Sequence, residues 1–146
     1  MSGQGGNIVV GVDGSAASRA ALRWAIDRAA ADGGTVTAVE VTFPTRLAPG
    51  TSYAPAPYGI APPLPRAVSP LHEIVAAVRE AVHDAPTITE LRVRGEVGAE
   101  LVRAAEGSDL LVLGHTPHNR ATELLFGRVI AECVRRARCP VVLVPA

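Results

Sequence analysis

The sequence predicts an α/β domain in which a parallel sheet carries helices on both faces. Short apolar runs rich in β-branched residues alternate with longer segments of helical periodicity, and this order is typical of a sheet built from βαβ units. The runs are continuously apolar, as expected of strands buried on both faces. A chain of 146 residues, 48% of them apolar, suffices for one domain with a single core.

The first half of the chain predicts a strand, a helix and a second strand. Ile8 to Val12 is a short β-branched run, and Ser15 is a suitable N-cap for a helix from about Ala16 to Ala31. Gly33-Gly34 ends that helix, and Thr35 to Thr42 follows as a strand. One face of the helix is apolar: Leu22, Ala25, Ile26 and Ala29.

The second half alternates in the same way. Its predicted elements are a helix Leu71–His83, a strand Ile88–Arg94, a helix from Gly98 through Ala105, a strand from Asp109 to Leu113, a helix Leu124–Ala137 and a strand Val141–Val144. Pro70 suits the first position of its helix. Polar and apolar residues alternate over Ile88–Arg94, which indicates an edge strand, and His72 and His83 are expected on the helix surface.

Two segments fall outside this pattern. Residues 1–6 are Gly-rich and predict a disordered tail, so that the domain is residues 7–146. Residues 43–69 hold seven of the twelve prolines and exceed the usual length of a connection. Long loops of this kind serve as lids or interface arms, but a flexible, polyproline-like insertion is the simpler interpretation.

Charge and composition exclude several functional classes. The 14 acidic residues balance 14 basic residues, and no long apolar span is present, so neither nucleic acid nor a membrane is expected as a partner. All the basic residues are arginine, which excludes a Walker-type phosphate loop and Schiff-base chemistry. Cys133 and Cys139 are too few for a disulfide framework and are expected as small buried side chains. Without a signal region, a cytoplasmic location is expected.

The most informative segment runs from Gly114 to Arg128. An apolar strand ends at Gly114 and leads through a polar loop to a helix, an arrangement in which α/β proteins bind phosphate groups. His115 and His118 share this loop, but no third ligand is evident, so no metal site is predicted. No nucleophile elbow or Ser-His-Asp pattern is present, and an enzyme is not expected.

Three segments together resemble the universal stress protein (UspA-like) family. They are Val9–Ser15 with Ser18 and Trp24, Gly95 to Gly114, and Cys139–Val144. The resemblance implies a Rossmann-like fold of the adenine-nucleotide alpha-hydrolase type, with five parallel strands in the order 3-2-1-4-5. It also implies a role in stress response and a homodimer paired through Val141–Val144, with unknown protein clients.

The resemblance further implies an ATP site that this chain has altered. Family members that bind ATP carry Gly, two residues, Gly, nine residues, then Gly followed by Ser or Thr. Here the spacing is kept as Gly114, position 117, Gly127 and position 128, but Pro117 and Arg128 replace the second Gly and the hydroxyl residue. Pro117 has no N–H to donate and a fixed φ. Val129, which follows the motif, completes this part of the candidate site.

Asp13 and Val41 match the remaining family positions. Asp13 corresponds to the residue that meets the ribose or the adenine side, and Val41 to the residue whose backbone contacts adenine. The alternatives are that Asp13 accepts hydrogen bonds within its own Asp-Gly turn and that Val41 is a core residue. ATP or another adenine nucleotide is therefore a possible ligand, slightly disfavoured by the two substitutions.

Arg128 admits more than one interpretation. At the expected helix start, the helix dipole disfavours a cation by about 0.3–1 kcal/mol. The side chain could fill the cleft opposite Glu123 or Asp13, point outward, or clamp a phosphate. The first two predict a stress-response module with a degraded ATP site. The third predicts a working ATP/ADP-binding signalling module, and a slow ATPase is a further alternative.

Overall fold

The computed structural model describes residues 5–42, 70–116 and 120–146, with the backbone alone for 120–126. Residues 1–4 and the predicted loop 43–69 lie outside these ranges, as do Pro117 and His118. The elements are β1 Asn7–Gly11, α1 Ala16–Asp32, β2 Thr35–Thr42, α2 Pro70–Glu80, β3 Ile88–Arg94, α3 Val97–Ala104, β4 Leu110–His115, α4 Arg120–Arg136 and β5 Val141–Pro145.

The five strands form one parallel sheet in the order β3-β2-β1-β4-β5, as predicted. The chain proceeds outward from β1 through β2 to β3, then crosses to the other side of β1 for β4 and β5. The connections that leave β1 and β4 therefore diverge to opposite faces, and a crevice opens at the carboxyl ends of these strands. No helix in the described part of the chain is long and apolar enough to span a membrane.

Each face of the sheet carries its own apolar core. Helices α1 and α2 pack on one face, where Val10 and Val36 are buried, and α3 and α4 pack on the other, where Val9 and Val39 are buried. The predicted apolar face of α1 is buried in the first of these cores: Leu22, Ala25, Ile26 and Ala29. Alternate residues of β1 thus face opposite cores, which explains why its sequence is continuously apolar.

Local sequence signals set the ends of α1 as predicted. Ser15 is the N-cap, and its Oγ accepts a hydrogen bond from the N–H of Ser18. Gly33 ends the helix with φ +76°, a left-handed conformation that glycine adopts without a steric penalty. The edge prediction for β3 is also confirmed, because the strand ends the sheet and its Leu91 is exposed.

Two boundaries differ from the sequence-based expectations by three residues or more. Helix α2 ends at Glu80, followed by a turn in which Asp84 has φ +57°, whereas its apolar spacing had suggested a helix to His83. Helix α4 begins at Arg120, four residues before the expected Leu124. Its first turn lacks the apolar spacing used for the prediction but contains no glycine or proline, so the helix extends there.

The last two residues of the predicted tail, Gly5 and Gly6, lie within the described part of the chain. The carbonyl of Gly6 accepts a hydrogen bond from the N–H of Thr35, at 3.1 Å. A Cβ on Gly34 would lie 2.2 Å from that same carbonyl oxygen. Gly5 and Gly6 therefore pack against the end of α1, and only glycine permits the two backbones to approach this closely.

Candidate functional site

A cleft of about 190 Å³ lies at the carboxyl ends of β1, β2 and β4, between the helices of both layers. The described residues that line it are Gly11, Val12, Asp13, Ser15, Ala17, Ser18, Val39, Val41, Val97, Leu101, Leu113, Gly114, Val129 and Ile130. Most of these are apolar, and Asp13 is the only ionisable one among them. Apolar walls with a few polar groups are typical of a small-molecule site.

The polar side of the cleft is the turn between β1 and α1. The N–H of Ser15 donates to Oδ1 of Asp13 at 2.9 Å, so this carboxylate closes its own turn. The hydroxyl of Ser18 accepts from the N–H of Asp13 at 3.2 Å and donates to the carbonyl of Ser15 at 3.1 Å. These bonds hold Asp13 at the rim of the cleft. Its second carboxylate oxygen takes no part in the hydrogen bonds of the turn.

Val41 presents backbone polar groups to the cleft because β2 extends beyond the end of β1. The pairing of these strands ends with Gly11 opposite Val39, and the last bond runs from the N–H of Val12 to the carbonyl of Val39 at 2.8 Å. Backbone groups of alternate residues point to the same side of a strand. The N–H and C=O of Val41 therefore point past the end of β1, while its half-buried side chain packs on the core of α3 and α4.

Gly114 has a structural reason to be glycine. A Cβ at this position would lie 2.3 Å from the carbonyl oxygen of Ala17 and 2.8 Å from the backbone nitrogen of Ser18. Strand β4 thus passes directly against the first turn of α1. This close approach forms the floor of the cleft and requires glycine whether or not a ligand is bound.

Gly127 and Arg128 do not reach the cleft. Arg128 is the ninth residue of α4, so two full turns of helix precede it. Both residues are exposed and neither lines the cleft, although Val129 and Ile130 do. The expected penalty for a cation at the helix start therefore does not apply, since that effect is confined to the first turn. Of the orientations considered, the outward one is observed.

The structure brings four of the six candidate residues together: Asp13, Val41, Gly114 and Val129. The apolar walls contributed by Val97, Leu101, Leu113 and Ile130 were not predicted as part of the site. Their only sequence signal was an apolar position on a helix or at the end of a strand, which many core residues share.

The two cysteines are free and lie apart from the cleft. Cys133 is fully buried as expected, and burial, followed by the neighbouring Glu132, raises the pKa of its thiol to about 11. Cys139 is half-buried rather than buried, and partial burial likewise raises its pKa. Neither environment is that of a reactive thiolate. Among the described residues, no group of three His, Cys, Asp or Glu side chains could hold a metal ion.

A family model for the universal stress protein family matches residues 6–145, nearly the whole chain. The chain belongs to the universal stress protein family. Universal stress protein Rv2624c of Mycobacterium tuberculosis is 30% identical over 145 residues, which cover 97% of this chain and 50% of that protein. This universal stress protein thus spans about half the length of the curated relatives it matches.

Solved structures of other universal stress proteins share the fold. A universal stress protein crystallised in complex with cAMP has a TM-score of 0.69 and 28% sequence identity, covering 99% of this chain and 98% of the other. UspA from Lactobacillus plantarum has a TM-score of 0.64 and 21% identity, covering 97% and 98% of the two chains. The first of these relatives binds an adenine nucleotide that carries a single phosphate.

Proposed function

We propose that this universal stress protein is a non-catalytic module that binds an adenine nucleotide with a single or cyclic phosphate in the cleft, and that its ATP motif is degraded. The proposal rests on one observation: some of the candidate site residues line the cleft and others do not. Asp13 and Val41 line the cleft, whereas Gly127 and Arg128 lie inside a helix, are exposed and do not line it.

The cleft offers the groups that an adenine ring and a ribose require. Val97 and Leu101 on one side and Val39 on another provide apolar surface for a flat ring. The backbone N–H and C=O of Val41 match the alternating acceptor and donor pattern of an adenine edge. The free carboxylate oxygen of Asp13 would accept a hydrogen bond from a ribose hydroxyl, which is stronger than a neutral bond because the acceptor is charged.

The proposed degradation concerns the phosphate contacts. In an α-helix, the N–H groups of Gly127 and Arg128 bond to carbonyls four residues earlier and are not available to an anion. The carboxylate of Asp13 also disfavours additional negative charge near the rim. Because hydrogen bonds to a charged group contribute about 1.5–3 kcal/mol each, a site without these donors gains little from β- and γ-phosphates.

Support also comes from the relative that was crystallised with cAMP, the structure at 28% identity and TM-score 0.69. A cyclic monophosphate needs far fewer phosphate contacts than ATP.

Among the described residues that line the cleft, Asp13 is the sole candidate for a general base, and its Oδ1 is already bonded to the Ser15 N–H. We therefore favour binding over hydrolysis; sustained phosphate release from ATP that Asp13→Ala abolishes would instead establish the slow ATPase.

Thermal shift with adenosine, AMP, cAMP, ADP and ATP tests the proposal. A ligand at 100 times its Kd stabilises by about 2.7 kcal/mol, which corresponds to roughly 5–10 °C in a domain of this size. We expect AMP or cAMP to raise the Tm at lower concentration than ATP. Asp13→Ala should weaken this shift, and Asp109→Ala, also exposed but at the opposite end of the sheet, is the matched control. ATP binding tenfold tighter than AMP would contradict the proposal, as would no shift with any adenine compound.

A homodimer paired through Val141–Val144 remains the second proposal. Universal stress proteins are commonly homodimers, and β5 is an edge strand whose Leu143 is 41% exposed. An apolar, unprotected edge favours pairing with a second strand. Light scattering at high ionic strength should give a dimeric mass, and Leu143→Arg should lower it towards the monomer. A monomeric wild-type protein at micromolar concentration would refute this proposal.

A further inference from the structure

The outer face of α4 carries a stripe of arginines. Arg128, Ala131 and Arg135 recur at helical spacing and are all exposed, and Arg138 follows just beyond the end of the helix. We call these four residues the arginine stripe. It contains no acidic residue.

The arginine stripe is only partly neutralised within the described part of the molecule. Among the described residues, the ion pair on this helix joins Arg136 to Glu132, which lies beside the stripe, four residues after Arg128 and three before Arg135, and faces Gly98 of α3. Arg128, Arg135 and Arg138 form no ion pair with any described residue. Arginines without an ion-pair partner, with an alanine between them, leave a cationic surface that attracts an anionic one.

Helix α2 carries the complementary surface. Glu73, Ala77 and Glu80 lie on its outer face, and Asp84 follows in the turn beyond it; all four are exposed. We call these residues the acidic stripe. Neither Glu73 nor Glu80 forms an ion pair with a described residue, and Asp84 contacts only the exposed His83, at 3.7 Å.

The two stripes match in spacing as well as in charge. Glu73 and Glu80 are seven residues apart, as are Arg128 and Arg135, which places each pair about 10.5 Å apart along its helix. In both stripes an alanine separates the charges, so two helices could approach closely between the ion pairs. The third charge of each stripe follows in the same chain direction.

One molecule cannot join its own stripes, because α2 and α4 pack on opposite faces of the sheet. We propose that the arginine stripe docks onto the acidic stripe of a second copy of this chain. Such a contact is heterologous, so it can repeat and extend the assembly beyond a dimer. The formal net charge of the chain is zero, and two copies therefore experience little overall repulsion.

This contact uses neither the β5 edge nor the cleft. It gives Arg128 a role at a protein surface, where its replacement of a small hydroxyl residue is favourable. A foreign acidic protein is the competing occupant of the arginine stripe. The seven-residue match with α2 favours a second copy, and the experiment below separates the two.

Sedimentation velocity of charge-reversed variants tests the proposal. At low ionic strength, we expect wild-type protein to form species larger than a dimer, with association about tenfold weaker at high salt because exposed charges are screened. Arg128→Glu/Arg135→Glu and Glu73→Arg/Glu80→Arg should each abolish these species. An equimolar mixture of the two variants should restore them, since each then offers the stripe that the other lacks.

The mixture also brings together proteins of opposite net charge, so a matched control is needed. Arg19→Glu/Arg94→Glu mixed with Glu96→Arg/Glu106→Arg has the same charges on other exposed positions. All substituted residues are exposed, and circular dichroism should show every variant folded. Restoration in the control mixture as well, or no restoration in the stripe mixture, would overturn the proposal. A wild-type protein that never exceeds the dimer would overturn it too.

Discussion

Replacing Gly114 by alanine should destabilise the protein, because β4 passes closer to α1 there than a side chain allows. The added Cβ would lie 2.3 Å from the carbonyl oxygen of Ala17 and 2.8 Å from the nitrogen of Ser18. Both atoms belong to the backbone of a capped helix, so neither can rotate away. Relief requires the end of β4 to move from α1, which opens the buried contact between them.

The magnitude follows from the nature of that contact. Added atoms in a well-packed core cost about 1–3 kcal/mol, and backbone neighbours place Gly114→Ala at the upper end, about 2–3 kcal/mol. In a domain of this size, the Tm should fall by roughly 5–10 °C. Urea unfolding followed by circular dichroism measures the same loss in the free energy of unfolding.

Gly127→Ala is the matched control, since it makes the same chemical change at another glycine of the family motif. Apart from its own helix backbone and its chain neighbours, no atom of the described residues lies within 4 Å of a Cβ built on Gly127, which is exposed in α4. Alanine should therefore raise the free energy of unfolding by about 0.5–1 kcal/mol. Wild-type stability in Gly114→Ala would refute the packing argument. A destabilised Gly127→Ala would refute the helical placement of this residue.

Further predictions concern the α1 cap, the contact between α3 and α4, and the buried thiol. Ser15→Ala should lower the free energy of unfolding by about 1 kcal/mol in urea titrations, while Ser15→Asp should retain most of the cap. Gly98→Ala should cost about 1 kcal/mol, because its Cβ would displace Glu132, and Gly98→Ala/Glu132→Ala should recover part of that loss. The raised pKa of Cys133 favours the neutral thiol in the folded state, so its contribution to stability is full below about pH 9 and is lost as pH rises towards 11. Two pKa units correspond to roughly 2–3 kcal/mol, and Cys133→Ala should remove this part of the pH dependence of urea unfolding.

The helices and strands could be predicted from the sequence because the signals that determine them are local. The apolar face of α1, the Ser15 cap and the terminating Gly33 each act within a few residues, and all are present as predicted. The strand order, by contrast, has no local signal. Alternation of strands and helices predicts a parallel sheet but does not determine which strands are neighbours. The order was predicted only from the resemblance of segments such as Val9–Ser15 to the family.

Only part of the cleft could be predicted from the sequence. Asp13 carries a recognisable signal, because an acid directly after a buried strand lies at the carboxyl edge of the sheet. Gly114 was expected to serve a ligand, yet its contacts show a packing constraint from Ala17. The apolar walls at Leu101 and Ile130 depend on how two helices are placed across the crevice, and no local pattern reports that placement.

The spacing of the ATP motif could not reveal where α4 begins. The start of this helix decides both the availability of phosphate donors and the position of Arg128. With the helix starting at Arg120, the N–H of Gly127 bonds within the helix, and Arg128 faces outward on the arginine stripe. The proposed loss of phosphate contacts and the proposed docking surface then both follow from where α4 begins. The first concerns the cleft and the second the outer face of α4. AMP or cAMP in the cleft should consequently leave the salt-sensitive association unchanged. If either nucleotide altered it, the cleft and the arginine stripe would be coupled, and their proposed independence would be wrong.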